Sequence, residues 1–376
     1  MKFDWIVVGA GISGATIARC IAAELGESVL VIEQRSHVAG NSYDEYNEHG
    51  IFEHKYGPHI FHTNDQEVWD FLSRFTEWRD YTHYVQALID GQQVPIPFNL
   101  NSIDKIFSSE LAGRFSEKLV RTYGFGSSIP VMKMLENEDE DVRFLARYVY
   151  EKLFYGYTTK QWGLPPQDLS PSVTARVPIR VSRDNRYFQD AYQGMPKFGY
   201  TAMIQKMLTH PNIQLMLGTS WESIRNAANG ARTVFTGAID EFFKFKHGEL
   251  PYRSLRFMPI TLQKRKHQVV ATINFPNDHD YTRITELTHL SGQDLPCTTL
   301  LFEFPQRHVV GKTVPYYPIP SEPNRDIYEK YLLEIKKSKK STFFTGRLAD
   351  YAYYNMDQAV AAALEKFREI SNVPHT

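Results

Sequence analysis

The stretch WIVVGAGISGATIARC sets Gly9, Gly11 and Gly14 in the spacing G-x-G-x-x-G, between a short apolar run and a helix-like one. In such a unit the first glycine makes a tight turn and the second lets backbone approach a pyrophosphate. The third lets the helix pack on the strand. The phosphates then face free N–H groups at the helix N-terminus, where Ser13 also falls. A second apolar run, SVLVIE, ends at Glu33, 24 residues beyond Gly9, the place for a carboxylate that binds ribose hydroxyls. Gln34 and Arg35 follow, and then the turn HVAGN with Gly40 and Asn41. Glycines and carboxylate together predict the ADP half of a dinucleotide. A second pattern is His59 and His62, three apart in KYGPHIFHT; no third ligand has a spacing suited to a metal site, so none is expected.

The elements that must carry these residues read as more than one core, since 376 residues exceed an ordinary domain. Lys plus Arg is 42 and Asp plus Glu is 43, a balance that excludes a general nucleic-acid binder. Aromatics reach 14%, which supplies core and also suits a site that stacks planar rings. Two cysteines without metal spacing, no secretory pattern and no apolar run near the ~18 residues that span a bilayer predict a reduced, cytoplasmic protein without membrane insertion. From QEVWDFLSRF onward the period is helical, through NSIDKIFSSELAGRFSEKLVRTYG and EDVRFLARYVYEKLFYGY. Runs such as HQVVATINF and TTLLFEFP read as sheet. TAMIQKMLTHPNIQLMLGT reads as a helix and a strand returning to the nucleotide domain, and the C-terminus as strand, glycine turn, aromatic loop and closing helix. KKSKK, at 336–340, reads as a solvated loop.

The basic residue and Gly-Asn turn after Glu33 resemble FAD-binding proteins of the glutathione-reductase and amine-oxidase type, which favours FAD. Four further stretches, KYGPHIFHT, GYTTKQWG, ARVPIR…DNRYFQDAYQGMP and YTRITE, together with GRLADYAYYNMD, closely resemble the UDP-galactopyranose mutase family, in order from first strand to last helix. The resemblance implies an α/β fold: a FAD-binding Rossmann-like domain (1–76, 195–246 and 340–376), an inserted helical subdomain (77–176) and an antiparallel sheet subdomain (177–194 and 247–339). It implies an isomerase that interconverts UDP-galactopyranose and UDP-galactofuranose with no net redox. In it the N5 of reduced FAD attacks the anomeric carbon and UDP leaves. An external reductant for FAD, a homodimer and a role in cell-surface polysaccharide synthesis are implied with it.

Residue roles come over position by position. Arg176 and Arg283 match the arginines that bind the diphosphate, which forked guanidinium donors suit. Tyr157 matches the position that stacks on uracil, with Phe154, Thr158 and Trp162 lining that pocket, although an aromatic such as Phe154 serves a core equally well. Tyr187, Tyr317 and Tyr353 match tyrosines bound to phosphate oxygens, and Asn274 a substrate-contacting asparagine. His59 is expected to meet both flavin and sugar and to act with the two arginines in catalysis, His62 to be structural. Arg347, Tyr353 and Met356 are expected beside the cofactor. Two departures stand out: the family's Gly-Gly-Asn turn is Ala39-Gly40-Asn41, and its usual Asp in YYDMD is Asn355, counted among the substrate-binding positions. The departure at Asn355 leaves open the same chemistry on UDP-N-acetylgalactosamine or dTDP-fucose. An amine-oxidase-type oxidoreductase is a separate class, for which two diphosphate arginines have no use. A flavin protein without catalysis is a third.

Overall fold

The computed structural model describes residues 3–170, 178–228, 230–337 and 341–372. Strand Trp5–Val8, rich in β-branched residues, lies at the centre of a five-stranded parallel sheet ordered 213–216, 29–32, 5–8, 232–235, 342–344. Helix Ile12–Cys20 follows the first strand and runs on through a wider turn, 21–25, until Gly26 takes the left-handed conformation that ends it. The closing helix Met356–Ser371 packs against it, with Ser13 Oγ donating to the Ala359 carbonyl at 3.3 Å. Trp5, Ile17, Tyr200, Val360 and Phe367 share the resulting core. Strand 213–216 is the expected return to this sheet.

The second large sheet has seven strands, in the order 317–318, 252–262, 298–307, 283–286, 272–274, 85–89, 92–96. Its neighbours are antiparallel except 272–274 and 85–89, which run parallel. Residues 77–96, expected within the helical block, are therefore strands: Trp78–Asp80, then the hairpin Val85–Ile89 and Gln92–Ile96. The hairpin turns at Asp90-Gly91, both at positive φ, the chemistry that a two-residue loop between strands requires. The 177–194 stretch is expected in the large sheet; its described part, from 178, goes elsewhere. Ile179–Arg180 pairs with Ser128–Ile129, and Tyr192–Pro196 joins 61–63 and 78–80 in a three-stranded sheet.

Helices Leu100–Ile106, Ser109–Tyr123, Val131–Leu135 and Glu140–Val149 share with the 85–96 hairpin a second core that includes Val85, Ile96, Phe115, Leu119, Leu145 and Val149. Asn99, Ser108 and Asp139 cap three of them by accepting backbone N–H groups. The last continues through a wider turn, 150–155, into helix Gly156–Trp162. Among the described residues no helix is long and apolar enough to cross a membrane.

Candidate active site

Two cavities meet in the fold. The first, of about 450 Å³, runs along the C-terminal edge of the parallel sheet. Gly9, at φ +104°, would bring a Cβ within 2.2 Å of Thr236 Oγ1, and a Cβ on Gly14 would lie 1.9 Å from the Gly9 carbonyl oxygen. The chain's own packing thus demands both glycines. Gly11 differs: its φ of −77° suits any residue, and a Cβ there would meet only Gly40 Cα, at 3.8 Å. Neither backbone nor packing requires glycine at 11, whereas a pyrophosphate lying against the loop does. Glu33 is buried and braces the loop, its Oε2 accepting from the Ala10 N–H (3.0 Å) and its Oε1 from that of Arg35 (2.9 Å). Arg35 donates from Nη2 to Asn41 Oδ1 at 2.8 Å and lies 4.3 Å over the Tyr56 ring. Its buried Nη1 has no partner among the described residues, a donor left for a ligand. Ala39, where the family has glycine, keeps the left-handed conformation at φ 73°.

Gly9, Gly11, Ser13, Gly14, Glu33, Gln34, Arg35, Gly40, Asn41, His59, Arg347 and Met356 all line this groove. Tyr353, expected there as well, lines only the second cavity. A dinucleotide fits the set: open backbone at Gly11, the N-terminus of helix Ile12–Cys20 for phosphate, Glu33 for ribose.

The second cavity, of about 680 Å³, lies between the helical block and the seven-stranded sheet. Phe154, Tyr157, Thr158, Trp162, Tyr187, Asn274, Arg283, Tyr317, Tyr353 and Asn355 all line it. Asn274, Arg283 and Glu303 stand directly opposite one another on three neighbouring strands, so their side chains share one face. Helix Gly156–Trp162, which carries Tyr157, Thr158 and Trp162, is held at both ends. A Cβ on Gly156 would come within 2.5 Å of the Pro276 carbonyl and Asn277 Oδ1, so only glycine allows this approach. Lys160 Nζ binds the carbonyls of Phe275 and Asn277 at 2.9 Å each, and Arg253 takes those of Gln161 (2.8 Å) and Lys160 (3.1 Å). Trp162, Tyr317 and Tyr353 pack edge-on or tilted, with centroids 5.0–6.2 Å apart. Burial pushes the phenols of Tyr157 and Tyr317 well up, so both stay protonated donors. For Arg283 burial works against the charge, and Glu303 with the facing phenols outweighs it, so the guanidinium stays charged.

His59, Tyr316, Arg347 and Met356 line both cavities and form the junction. His59 Nδ1 is 2.8 Å from the Gly57 carbonyl, and its backbone N–H donates to His54 Nδ1 at 3.0 Å. Burial first, then His54 and Arg347, lower its pKa to about 3, so the ring is neutral. With Nδ1–H spent on Gly57, Nε2 is left as the acceptor. Arg347 spends Nη2 on the Tyr354 carbonyl (2.6 Å) and Nη1 on that of Tyr316 (3.4 Å). Asn355 stands at the N-cap of the closing helix, its N–H donating to Gln358 Oε1 at 2.9 Å. His62, expected to be structural, also faces the cavity, stacked 3.6 Å from Phe188 and 3.0 Å from Asp190. Arg176 lies outside the described residues.

Sequence reasoning missed His83, Arg180 and Tyr316, all of which line the second cavity. Tyr316 adjoins the Tyr317 that was found. His83 precedes the overlooked hairpin, and Arg180 closes the ARVPIR stretch in which only Arg176 was singled out.

Fold and site define a Rossmann-type dinucleotide-dependent enzyme whose second cavity, basic and aromatic, suits a phosphorylated ligand with a planar ring. A family model described as UDP-galactopyranose mutase matches residues 152–353, and one described as an NAD(P)-binding Rossmann-like domain matches 7–75. The "Probable UDP-galactopyranose mutase" of Klebsiella pneumoniae is 35% identical over 362 residues, 96% of this chain and 92% of the relative. The dTDP-fucopyranose mutase of Escherichia coli is 34% identical over 367 residues, 96% of each chain. A crystal structure of reduced UDP-galactopyranose mutase shares the fold at a TM-score of 0.73, covering 100% of this chain and 95% of that one at 15% identity. The chain belongs to the UDP-galactopyranose mutase family.

Proposed function

We propose that the protein is a flavin-dependent isomerase that interconverts UDP-galactopyranose and UDP-galactofuranose. The observation that carries this reading is the junction. A groove built for a dinucleotide opens, at His59, Tyr316, Arg347 and Met356, onto a cavity with the basic and aromatic groups a nucleotide sugar needs. FAD is the cofactor, held by Gly9, Gly11, Ser13, Gly14, Glu33, Gln34, Arg35, Gly40, Asn41 and Arg347. Bound and reduced, it supplies a nucleophile for displacing UDP from the anomeric carbon without net oxidation.

The chain's own residues bind, orient and exclude water. Tyr157, with Phe154, Thr158 and Trp162, takes the uracil, a stacking contact worth ~1–3 kcal/mol. Arg283, with Arg176, takes the diphosphate, and the phenol hydroxyls of Tyr187, Tyr317 and Tyr353 donate to its oxygens. Neutral His59 offers Nε2 to a sugar hydroxyl at the junction. Asn274 fixes the sugar beside Arg283. Nucleotide and closing-helix segments form the cofactor domain, the helices from 100 to 162 the base-binding wall, and the seven-stranded sheet the floor. A cytoplasmic homodimer that draws its electrons from an external reductant and feeds cell-surface polysaccharide synthesis completes the reading.

A second reading keeps the chemistry and changes the sugar to dTDP-fucopyranose, which the departure at Asn355 leaves open and the Escherichia coli relative favours. The test is chromatography of UDP-galactopyranose, UDP-N-acetylgalactosamine and dTDP-fucopyranose, each incubated with purified yellow protein before and after dithionite reduction. Conversion of UDP-galactopyranose only after reduction is expected. Turnover by the oxidised protein, or a colourless protein that retains NAD and never FAD, would overturn the reading.

A further inference from the structure

Arg180 ends the short strand Ile179–Arg180, where its backbone pairs with Ser128 and its N–H donates to the Phe98 carbonyl at 2.8 Å. It lines the second cavity, as do Phe154, Tyr157 and Tyr187. Among the described residues its side chain makes one long hydrogen bond, Nη2 to the Tyr187 carbonyl at 3.4 Å. Nε and Nη1 are buried and have no partner among the described residues.

The carboxylates that could neutralise it are engaged elsewhere. Asp184 is held by Arg186 through three contacts of 2.6–3.1 Å, and Asp190 accepts from His62 (3.0 Å) and Asn64 (2.9 Å). The cavity's other arginines differ: Arg283 has Glu303, and Arg347 has two carbonyls. Burial lowers the pKa of Arg180 despite Asp184 and Asp190 acting against it, the mark of a partly desolvated, incompletely compensated cation. Two buried guanidinium nitrogens with unused donors are costly in a ligand-free fold. An anion entering the cavity accounts for it.

We propose that Arg180 is a further phosphate-binding arginine of this cavity, donating to the diphosphate of the nucleotide sugar. The inference rests on the nucleotide-sugar reading above. Its backbone is fixed on two sides, so little ordering is left for the moment of binding.

The test is calorimetric titration of the FAD-loaded protein with uridine, UMP and UDP, and with thymidine and dTDP, for wild type and Arg180→Met, alongside melting of both without ligand. Loss of at least ten-fold in diphosphate affinity, unchanged nucleoside affinity, and a ligand-free Tm at or above wild type are expected. A structural arginine would give the reverse, a lowered Tm with unchanged diphosphate affinity, and would overturn the proposal. Equal losses for nucleoside and diphosphate would place the contact on base or ribose and overturn it too. If the Met variant does not fold, Arg180→Gln, neutral but able to donate to the Tyr187 carbonyl, is read by the same criteria. A wild type that binds neither UDP nor dTDP would instead sink the nucleotide-sugar reading and this inference with it.

Discussion

Arg283 and Glu303 face each other across adjacent antiparallel strands, and a single carboxylate oxygen of Glu303 receives both Nε (2.8 Å) and Nη2 (2.7 Å) of the guanidinium. Glu303 is 1% exposed, so the pair fixes the plane of Arg283 at the cavity wall and compensates a buried charge. Stability and ligand binding are therefore entangled in one residue.

Arg283→Ala should lower both turnover and Tm. It removes a charge-assisted contact worth about 1.5–3 kcal/mol, at least ten-fold in turnover at 1.4 kcal/mol per decade. It also strands a buried carboxylate, at a cost of about 3–5 kcal/mol. Adding Glu303→Gln should restore most of the Tm and none of the turnover. Melting curves and kinetics of the single and double variants check this; recovered turnover in the double variant would take Arg283 out of the chemistry. Arg283→Lys should rescue poorly, lacking the planar fork.

Gly11→Ala should fold with an unchanged ligand-free Tm, because its Cβ would meet only Gly40 Cα at ordinary contact distance. FAD retention should nevertheless fall, since the methyl occupies the path of the pyrophosphate. Gly14→Ala, with its Cβ 1.9 Å from the Gly9 carbonyl, should instead destabilise the fold itself. Flavin absorbance per protein and thermal melts separate the two, and a Gly11→Ala protein that keeps its full flavin complement would refute the assignment.

The nucleotide groove was legible because much of what shapes it is local: the positive φ of Gly9, the closeness of Gly14 to the Gly9 carbonyl and the Glu33 bond to Ala10 all fall within one strand–helix–strand unit, whereas the approach of Thr236 to Gly9 left no mark in the sequence. Residues of the second cavity were legible only through resemblance, since Asn274, Arg283 and Glu303 meet by strand register across thirty positions of chain. The hairpin at 85–96 carried a local signal in Asp90-Gly91 that the surrounding helical period concealed. Ile179–Arg180 had none: a two-residue strand is set by its partner at 128–129, and so the side chain of Arg180 became visible only in the fold.

Acid should destabilise the protein through histidines buried in the neutral form. Burial holds the pKa of His54 at about 4, against an ordinary 6.5. Between those values the unfolded chain binds more protons, so stability rises with pH and is lost as pH falls from 6.5 toward 4. His59 and His83, each lowered to about 3, act in the same direction. His54→Asn keeps an acceptor for the His59 N–H and removes one titration. Its Tm should fall less than that of wild type between pH 7 and about 4.5. Parallel slopes would remove His54 from the account.

The last prediction concerns Asn355, where the family's usual residue is Asp. It lies two positions after Tyr353, lines the second cavity, and is the N-cap of the closing helix. Asn and Asp are nearly equivalent N-caps, so Asn355→Asp should change the stability by less than about 1 kcal/mol. A new carboxylate would also be favoured by the helix dipole, though it would stand in the cavity that receives a dianionic leaving group. If the position serves the cap and the orientation of its neighbours, turnover on UDP-galactopyranose should change by less than about ten-fold, roughly 1.4 kcal/mol. If Asn355 instead marks a different sugar, the Asp variant should gain on UDP-galactopyranose and lose on the true substrate. The N-cap geometry favours the first outcome, since an amide and a carboxylate fill that role alike. Parallel kinetics of wild type and Asn355→Asp on UDP-galactopyranose, UDP-N-acetylgalactosamine and dTDP-fucopyranose decide it, and a reversed preference would assign Asn355 to sugar selection.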